Sequence, residues 1–307
     1  MDYILQTRGL SKRYKKHMAV DHVDMHIRRG DIYGFVGENG SGKTTIIRLI
    51  TGLISPTTGN YDLFGIPSDF SEIRLMRRKV GAVVETPSIY TNLSAYRNLK
   101  LQCGILGIDD DEKIKQVLWE VGLSDLYADR KRAGDFSLGM RQRLGIAMAL
   151  LGDPEFLILD EPMNGLDPAG IVEIRELILK LNREKGITFL ISSHILTELS
   201  LVATNYGIIS KGKILKEITA EELQRECAVT TVIRCDDPAA LSKLLESLLP
   251  THRLFPVPDG VKITEEIDLN QILGAILAAG LRILSVNCSQ TSFEDYYLNL
   301  IGGVRHV

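Results

Sequence analysis

The segment Gly37 to Thr44 has the residue types and the spacing of a phosphate-binding loop. Its sequence, Gly-Glu-Asn-Gly-Ser-Gly-Lys-Thr, fits the pattern G-x-x-x-x-G-K-T at every position. Glycines let such a loop turn tightly and aim successive backbone N–H groups at phosphate oxygens. Lys43 would supply a cation for the β- and γ-phosphates, and the Thr44 hydroxyl could coordinate Mg²⁺. A chance glycine-rich turn is the alternative, but the strand-like run before the loop and the helix-like run after it argue against that.

Two adjacent carboxylates, Asp160 and Glu161, follow an apolar run that begins at Phe156. In parallel sheets ligands bind at the carboxyl ends of the strands, so both side chains are predicted to face the phosphate loop. Asp160 could hold Mg²⁺, usually through water, and Glu161 could polarise the attacking water as a general base. His194 follows a second predicted strand and could donate a hydrogen bond to the γ-phosphate. Each of the three could instead be structural, but the phosphate loop favours the catalytic interpretation.

A second glycine-bearing segment, Ser137-Leu138-Gly139-Met140-Arg141-Gln142, lies between these motifs and opens a strong helix pattern. The serine hydroxyl, the backbone N–H groups and the helix N-terminus would form a second anion-binding end. A simple serine N-cap with a glycine in the first turn is the alternative. One chain cannot easily bring two such helix ends to one γ-phosphate, whereas two chains arranged head to tail can. The segment therefore predicts a nucleotide site that two copies of the domain share.

The apolar pattern predicts the elements that must position these residues. Strand-like patterns occupy residues 3–7, 19–27, 31–36, 156–159 and 188–191, and helix-like patterns occupy residues 45–54, 112–121 and 171–181. The first two strands alternate apolar and polar residues, as antiparallel strands do. The last two are unbroken apolar runs, which is typical of buried parallel strands. The sequence therefore predicts an α/β fold in which a mostly parallel sheet is flanked by helices.

After about residue 220 the sequence carries no catalytic motif, but its pattern stays regular. Strands and helices alternate as β-α-β-β-α-β, the order of the ferredoxin-like split motif. The predicted elements are residues 229–235, 239–249, 253–257, 261–264, 269–279 and 281–286. We therefore expect two domains: residues 1–220 with the nucleotide chemistry, including a helical subdomain at about 86–150, and residues 221–307 as a small accessory α+β domain.

Composition limits the classes of partner. The 307 residues carry a net charge of −3, so no basic excess points to nucleic acid. The four cysteines have no metal-like spacing and suggest thiols in a reducing, cytoplasmic compartment. The N-terminus has no signal-like apolar segment, and no apolar run approaches the roughly 18–20 residues that span a bilayer. If the protein works at a membrane, another chain is expected to do the spanning.

In this order the motifs resemble those of the ATP-binding subunit of an ABC transporter, over about residues 2 to 220. By that resemblance the loop at Gly37 is Walker A, the Ser137 segment is the signature loop, and Phe156 to Glu161 is Walker B around a RecA-like core. The residues implied in ATP contact are Tyr14, which would stack on adenine, and Gly37, Glu38, Asn39, Gly40, Ser41, Gly42, Lys43, Thr44, Thr45, Ser137, Gly139 and Gln142.

The resemblance also implies catalytic roles and partners. Glu161 would be the catalytic base and His194 the switch histidine, while Asn164 to Asp167 would be a loop that crosses the dimer interface. Thr44 and Asp160 would bind Mg²⁺. The implied partners are a second ATPase subunit, an identical one being favoured, and an integral membrane permease at the inner face of the cell membrane.

One position departs from the family, which usually has glutamine where this chain has Glu85. That glutamine contacts Mg²⁺ and the attacking water, and its loop meets the membrane partner. An ionised glutamate only accepts hydrogen bonds, whereas glutamine also donates. We hypothesise that Glu85 serves as a catalytic, Mg²⁺-linked sensor; a solvent-exposed glutamate in a loop that aligns differently is the alternative.

With glutamate at this position, the chain resembles the ATP-binding subunits of bacitracin-type and lantibiotic-immunity exporters. The acidic-aromatic segment Ser292 to Tyr297 resembles the ends of subunits that serve ABC-2 exporters. Export of an antimicrobial peptide or drug is therefore expected. The alternatives are an ABC-2 exporter with an unrelated cargo, an ABC ATPase that acts on nucleic acid or ribosomes, and a regulatory nucleotide-binding module. A neighbouring gene for a protein of about six spans would favour transport.

Overall fold

The structure is a computed structural model that describes residues 3–227, 229–250, 252–265, 267–290 and 292–302. It divides into two compact units, with the boundary between Ala220 and Glu221. The strands of the first unit are β1 (Tyr3–Tyr14), β2 (His17–Val23), β3 (His26–Arg28), β4 (Ile32–Val36), β5 (Thr58–Leu63), β6 (Ile66–Pro67), β7 (Val80–Val83), β8 (Phe156–Asp160), β9 (Thr188–Ser193), β10 (Asn205–Ser210) and β11 (Lys213–Thr219). Its helices are α1 (Lys43–Ile50), α2 (Ile73–Arg77), α3 (Ala95–Leu106), α4 (Asp111–Glu120), α5 (Leu138–Leu150), α6 (Pro168–Lys185) and α7 (Leu196–Leu199), and α8 (Ala220–Glu226) begins at the boundary.

Two sheets form the first unit. An antiparallel sheet has the order β2-β1-β5-β6, with β3 also paired to β1. A six-stranded sheet has the order β11-β10-β4-β9-β8-β7, in which every pair except β11–β10 is parallel. The predicted combination of an antiparallel part, a mostly parallel sheet and helices is confirmed.

The central strands of the six-stranded sheet are buried from end to end. Every residue of β4, β8 and β9 is buried, which explains the apolar runs at Ile32–Val36, Phe156–Leu159 and Phe189–Ile191. In the register of these parallel strands Val36 pairs with Ser193, and Asp160 pairs with Ser192. The loop after β4 and the residues that end β8 and β9 therefore lie at one edge of the sheet.

Several predicted boundaries in the first unit are wrong. The strand predicted for residues 3–7 is β1, which continues to Tyr14, and the helix predicted for residues 171–181 is the longer α6. The helix predicted for residues 45–54 is α1, which ends at Ile50 because Gly52 adopts a left-handed φ of 77°. The strand predicted for residues 19–27 is two strands, β2 and β3, which are separated at Asp24 and Met25. At this break the Thr7 hydroxyl donates to Val23 O, and the Thr7 backbone N–H donates to Met25 O. The chain therefore ends its pairing with one part of β1 as β2 and pairs with another part as β3.

Three capped helices dominate residues 95–150. Ser94, Asp110 and Ser137 are the N-caps of α3, α4 and α5, and each side chain accepts a hydrogen bond from a first-turn N–H. The helix predicted for residues 112–121 is confirmed, since α4 spans Asp111–Glu120. Among the described residues, no helix is both long enough and apolar enough to cross a bilayer.

The second unit has the predicted ferredoxin-like topology. Its elements are β12 (Val229–Cys235), α9 (Pro238–Leu248), β13 (Leu254–Val257), β14 (Gly260–Ile263), α10 (Leu269–Ala278), β15 (Ile283–Gln290) and α11 (Phe293–Gly302). The antiparallel sheet has the order β13-β14-β12-β15, so each helix connection crosses over one strand. The last strand is longer and starts later than the predicted residues 281–286. The hydrophobic core of the second unit contains Ile233, Leu241, Leu245 and Ile276, which are all fully buried.

Candidate active site

The loop between β4 and α1 can be built only with glycines at key positions. A Cβ on Gly37 would lie 2.5 Å from both Ile209 O and Ser41 Oγ, which leaves no room for a side chain. Gly40 and Gly42 have φ values of 80° and 112°, which L-residues rarely adopt. Gly42 is also the N-cap of α1, so the loop ends directly on the positive end of that helix.

Lys43 is held inside this loop. It is only 5% exposed, and its Nζ donates to Gly37 O at 2.6 Å and to Glu38 O at 3.3 Å. The same Nζ lies 3.3 Å from Glu161 Oε1. The Ser41 hydroxyl is buried and has no hydrogen-bond partner among the described residues. The loop thus offers a cation and an unused hydroxyl, which is the chemistry that a polyphosphate requires.

Thr44 and Asp160 bring two hard oxygen ligands together. Asp160 is 1% exposed, and its Oδ2 accepts a hydrogen bond of 2.9 Å from Thr44 Oγ1. Mg²⁺ is usually bound by one or two carboxylates together with phosphate oxygens and water. No cluster of three or more acidic, histidine or cysteine side chains that could bind a metal occurs within the described part of the chain. The pair therefore fits a Mg²⁺ ion that also takes oxygens from a bound nucleotide.

Glu161 and His194 form a pair beside the loop. Glu161 Oε2 lies 2.7 Å from His194 Nδ1, and the two side chains are 21% and 36% exposed. The Glu161 backbone has a φ of 51°, which costs a non-glycine residue about 1–3 kcal/mol. A carboxylate that is anchored to an imidazole and open to solvent can accept a proton from water.

A cavity of about 350 Å³ joins the loop to Tyr14. Its lining residues are Tyr14, His17, Ala19, Glu38, Asn39, Gly40, Gly42, Lys43, Thr44, Thr45 and Glu161. Tyr14 is 41% exposed, and the Lys12 ammonium lies 5.4 Å from the centroid of its ring. The cavity lining therefore includes both an aromatic side chain, on which a base could stack, and the phosphate loop.

The signature segment does not reach this cavity. Ser137 caps α5, and its Oγ accepts a 3.2 Å hydrogen bond from Met140 N. Gly139 lies in the first turn, and Gln142 is buried in α5. None of the three lines the cavity that contains Lys43. Asp167, at the end of the predicted interface-crossing loop, caps α6 by accepting from Gly170 N at 3.0 Å.

Glu85 follows β7, which pairs in parallel with β8, so its backbone lies at the same edge of the sheet as Glu161. The Glu85 side chain is 57% exposed, and its Oε1 lies 2.6 Å from a guanidinium nitrogen of Arg48 on α1. It lines a second cavity, of about 520 Å³, and not the one at the loop. Among the described residues, no hydrogen bond or ion pair joins Glu85 to Thr44 or Asp160. Its metal-linked role stays a prediction.

Sequence reasoning missed three residues. Ser192 lies on β9 with its hydroxyl against Asp160, Arg48 pairs with Glu85, and His17 lines the cavity beside Tyr14. His17 could have been found, because it is the cross-strand partner of Tyr14 in the β1–β2 hairpin. The change from apolar residues to the two serines that end β9 was the signal for Ser192.

The chain is similar to known ABC cassettes. The ABC transporter family model matches residues 20–164. The bacitracin transport ATP-binding protein BcrA of Bacillus licheniformis is 41% identical, with 99% of each chain covered. The lantibiotic transport ATP-binding protein SrtF of Streptococcus pyogenes is 44% identical over 70% of this chain and 90% of that one.

Solved structures agree with these relatives. The dimeric cassette MJ0796, in a post-hydrolysis state bound to ADP and Pi, matches with a TM-score of 0.63 at 25% identity, covering 70% of this chain and 98% of that one. The structure of cbiO1 from Clostridium perfringens, part of the ABC transporter complex cbiONQ, has a TM-score of 0.65 at 27% identity and covers 81% of this chain and 97% of that one. The chain belongs to the ABC transporter family, as one of its ATP-binding, ATP-hydrolysing subunits.

Proposed function

We propose that this chain powers the export of a bacitracin-like or lantibiotic-like peptide through a separate membrane permease. The proposal that ATP hydrolysis drives this export rests on one observation. Five side chains converge at one edge of the six-stranded sheet, namely Lys43, Thr44, Asp160, Glu161 and His194. The cargo class is inferred from the relatives, since bacitracin and lantibiotic transport proteins match the chain at 41% and 44% identity.

The cavity beside the loop is the proposed ATP site. Adenine would stack on Tyr14, and the phosphates would lie along the loop N–H groups at the start of α1. Phosphate oxygens would replace Gly37 O and Glu161 Oε1 as partners of the Lys43 ammonium. The Ser41 hydroxyl, which has no partner within the described residues, would donate to a phosphate oxygen.

Glu161 is proposed to accept the proton of the attacking water, and His194 is proposed to hold that carboxylate and to contact the γ-phosphate. A bound Mg²⁺ would be held by the Thr44 hydroxyl and by Asp160, and it would offset the negative charge of the phosphates. Because Lys43 and His194 both contact Glu161, phosphate binding to Lys43 would leave the Glu161 carboxylate with His194 as its main partner.

Two copies are proposed to complete each site, and Gly139 supports this. A Cβ built on Gly139 would have Leu166 Cδ2, at 3.9 Å, as its nearest neighbour, so its own chain leaves space for a side chain. Glycine in a helix is unfavourable by about 0.5–1 kcal/mol relative to alanine. A glycine that its own chain does not require is explained if the partner's nucleotide approaches that backbone closely.

The second cavity is proposed as the permease contact. It lies in the first unit where the segment after β7 meets α3 and α5. Leu53 and Leu106 line it and are 65% and 45% exposed, so this cavity presents apolar side chains to a partner. Glu85 lines the same cavity and would link the permease contact to the ATP site through Arg48 on α1. Such a contact would place the chain at the inner face of the membrane.

The test is to delete the gene in its host and to measure growth inhibition by bacitracin and by a lantibiotic. We expect the deletion to increase sensitivity, the parental gene to restore resistance, and a Glu161→Gln gene to fail to restore it. Unchanged sensitivity, combined with normal ATPase activity of the purified protein, would contradict the proposed cargo. Full resistance with Glu161→Gln would contradict the proposed role of hydrolysis.

A further inference from the structure

We propose that Ser192 is a positioning residue for ATP hydrolysis, which holds the metal-binding carboxylate of Asp160 and the backbone of Glu161 in one fixed relation. The inference rests on the proposed function, because it uses the Mg²⁺ role of Asp160 and the base role of Glu161. Ser192 itself would touch neither the nucleotide nor the metal.

The Ser192 hydroxyl is fully committed to these two neighbours. Ser192 is completely buried on β9, and its Oγ donates to Asp160 Oδ1 at 2.5 Å. The same oxygen accepts a 2.9 Å hydrogen bond from the Glu161 backbone N–H. A hydroxyl has one proton to donate, so its only donor is used on the carboxylate. One side chain thus links two consecutive residues to which different catalytic roles are assigned.

The hydrogen bond to Asp160 fixes which oxygen faces the loop. Because Oδ1 is bound to Ser192, Oδ2 is the oxygen that meets Thr44 Oγ1 at 2.9 Å. Asp160 is 1% exposed, so water cannot replace a lost partner at Oδ1 without opening the sheet. Without the serine hydroxyl the carboxylate would be free to rotate, and its alignment with Thr44 would weaken.

The hydrogen bond from Glu161 holds a strained backbone. Its φ of 51° lies in the left-handed region, which persists only where surrounding contacts enforce it. The Glu161 N–H contacts both Ser192 Oγ at 2.9 Å and Ser192 O at 3.2 Å, so the serine supplies both partners. Loss of the shorter contact would let the backbone relax and would move the carboxylate that faces His194.

The next residue provides a matched control. Ser193 is also buried in β9, but its Oγ accepts from Ile195 N at 2.9 Å within its own turn. It has no hydrogen bond to Asp160 or Glu161 in the described structure. Removal of either hydroxyl deletes two hydrogen bonds, one donated and one accepted, at neighbouring positions of the same strand. Only the deletion at Ser192 affects Asp160 and Glu161.

The experiment compares the full-length protein with Ser192→Ala, Ser192→Thr and Ser193→Ala. Thermal unfolding reports the folded fraction, and steady-state ATPase is measured against ATP and, separately, against MgCl₂. We expect Ser192→Ala to lower kcat on the order of tenfold and to raise the Mg²⁺ concentration for half-maximal rate, while KM for ATP changes little. Ser192→Thr keeps the hydroxyl and should recover the parental Mg²⁺ dependence. Ser193→Ala should also keep the parental Mg²⁺ dependence.

Two results would overturn the proposal. One is a Ser192→Ala protein with the parental kcat and Mg²⁺ curve. The other is a lower rate that follows a lower folded fraction, with an unchanged Mg²⁺ curve, which would make Ser192 only structural. A parental protein without Mg²⁺-dependent hydrolysis would instead contradict the proposed function, and that result appears before any substitution is made.

Discussion

Replacement of Gly139 by alanine should make the protein more stable and less active. Gly139 lies in the first turn of α5, and an added Cβ would have its nearest neighbour, Leu166 Cδ2, at an ordinary van der Waals distance of 3.9 Å. Alanine removes a helix penalty of about 0.5–1 kcal/mol. A gain of that size should raise the melting temperature of the first unit by about 1–4 °C.

The loss of activity has a different origin. If the backbone at Gly139 faces the partner's γ-phosphate, an added methyl group holds that phosphate away from the N–H groups at the start of α5. Removal of one preorganised hydrogen-bond donor that faces a developing negative charge typically lowers the rate by about 10²–10³-fold. We expect kcat to fall by at least about tenfold, since the methyl group displaces the donors and does not delete them. ATP binding to a single chain should not change.

The assay pairs thermal unfolding with steady-state ATPase and with nucleotide titration of the isolated chain. Gly104→Ala is the matched control, because Gly104 lies inside α3 with no heavy atom within 4 Å of a built Cβ. It should gain similar stability and keep its activity. Parental hydrolysis by Gly139→Ala, or a weaker ATP affinity of the isolated chain, would contradict the assigned role of Gly139 at the partner's nucleotide.

Three further predictions concern the candidate site. Glu161→Gln should lower kcat by at least about 10²-fold in ATPase assays and leave ATP binding intact; substantial turnover would argue against its role as the base. Tyr14→Ala should weaken ATP binding by about 1–3 kcal/mol in a nucleotide titration, because stacking on adenine is lost. An unchanged affinity would show that adenine does not stack on Tyr14. Glu85→Gln breaks a half-exposed ion pair with Arg48 and should change stability by no more than about 1 kcal/mol. The ATPase rate of Glu85→Gln should depend differently on Mg²⁺, and identical curves would count against a metal-linked role.

The sheet edge could be predicted from sequence because local signals coincide there. The runs of β4 and β8 are apolar at nearly every position, and the loop glycines and the acidic pair directly follow them. Parallel strands bring their carboxyl ends to one edge, so the order of the motifs indicates their proximity. The same reasoning predicted the topology of the second unit, where turn residues separate short apolar runs.

Contacts between distant residues could not be predicted. Ser192 meets Asp160 only because β8 and β9 pair in a particular register, which their apolar pattern does not specify. Arg48 and Glu85 are 37 positions apart and are joined by the packing of α1 beside the end of β7. The early end of α1 depends on one left-handed glycine in a segment whose apolar spacing stays helical.

If a second copy completes each ATP site, a mixture of two inactive variants with different defects should recover hydrolysis. Lys43→Ala disables the loop of one copy, and Gly139→Asp disables the signature segment of the other. A mixed dimer then has one site with both defects and one intact site. Random pairing should restore on the order of a quarter of the parental ATPase rate, although each variant alone is inactive. A mixture that forms dimers but hydrolyses no ATP would contradict the shared site.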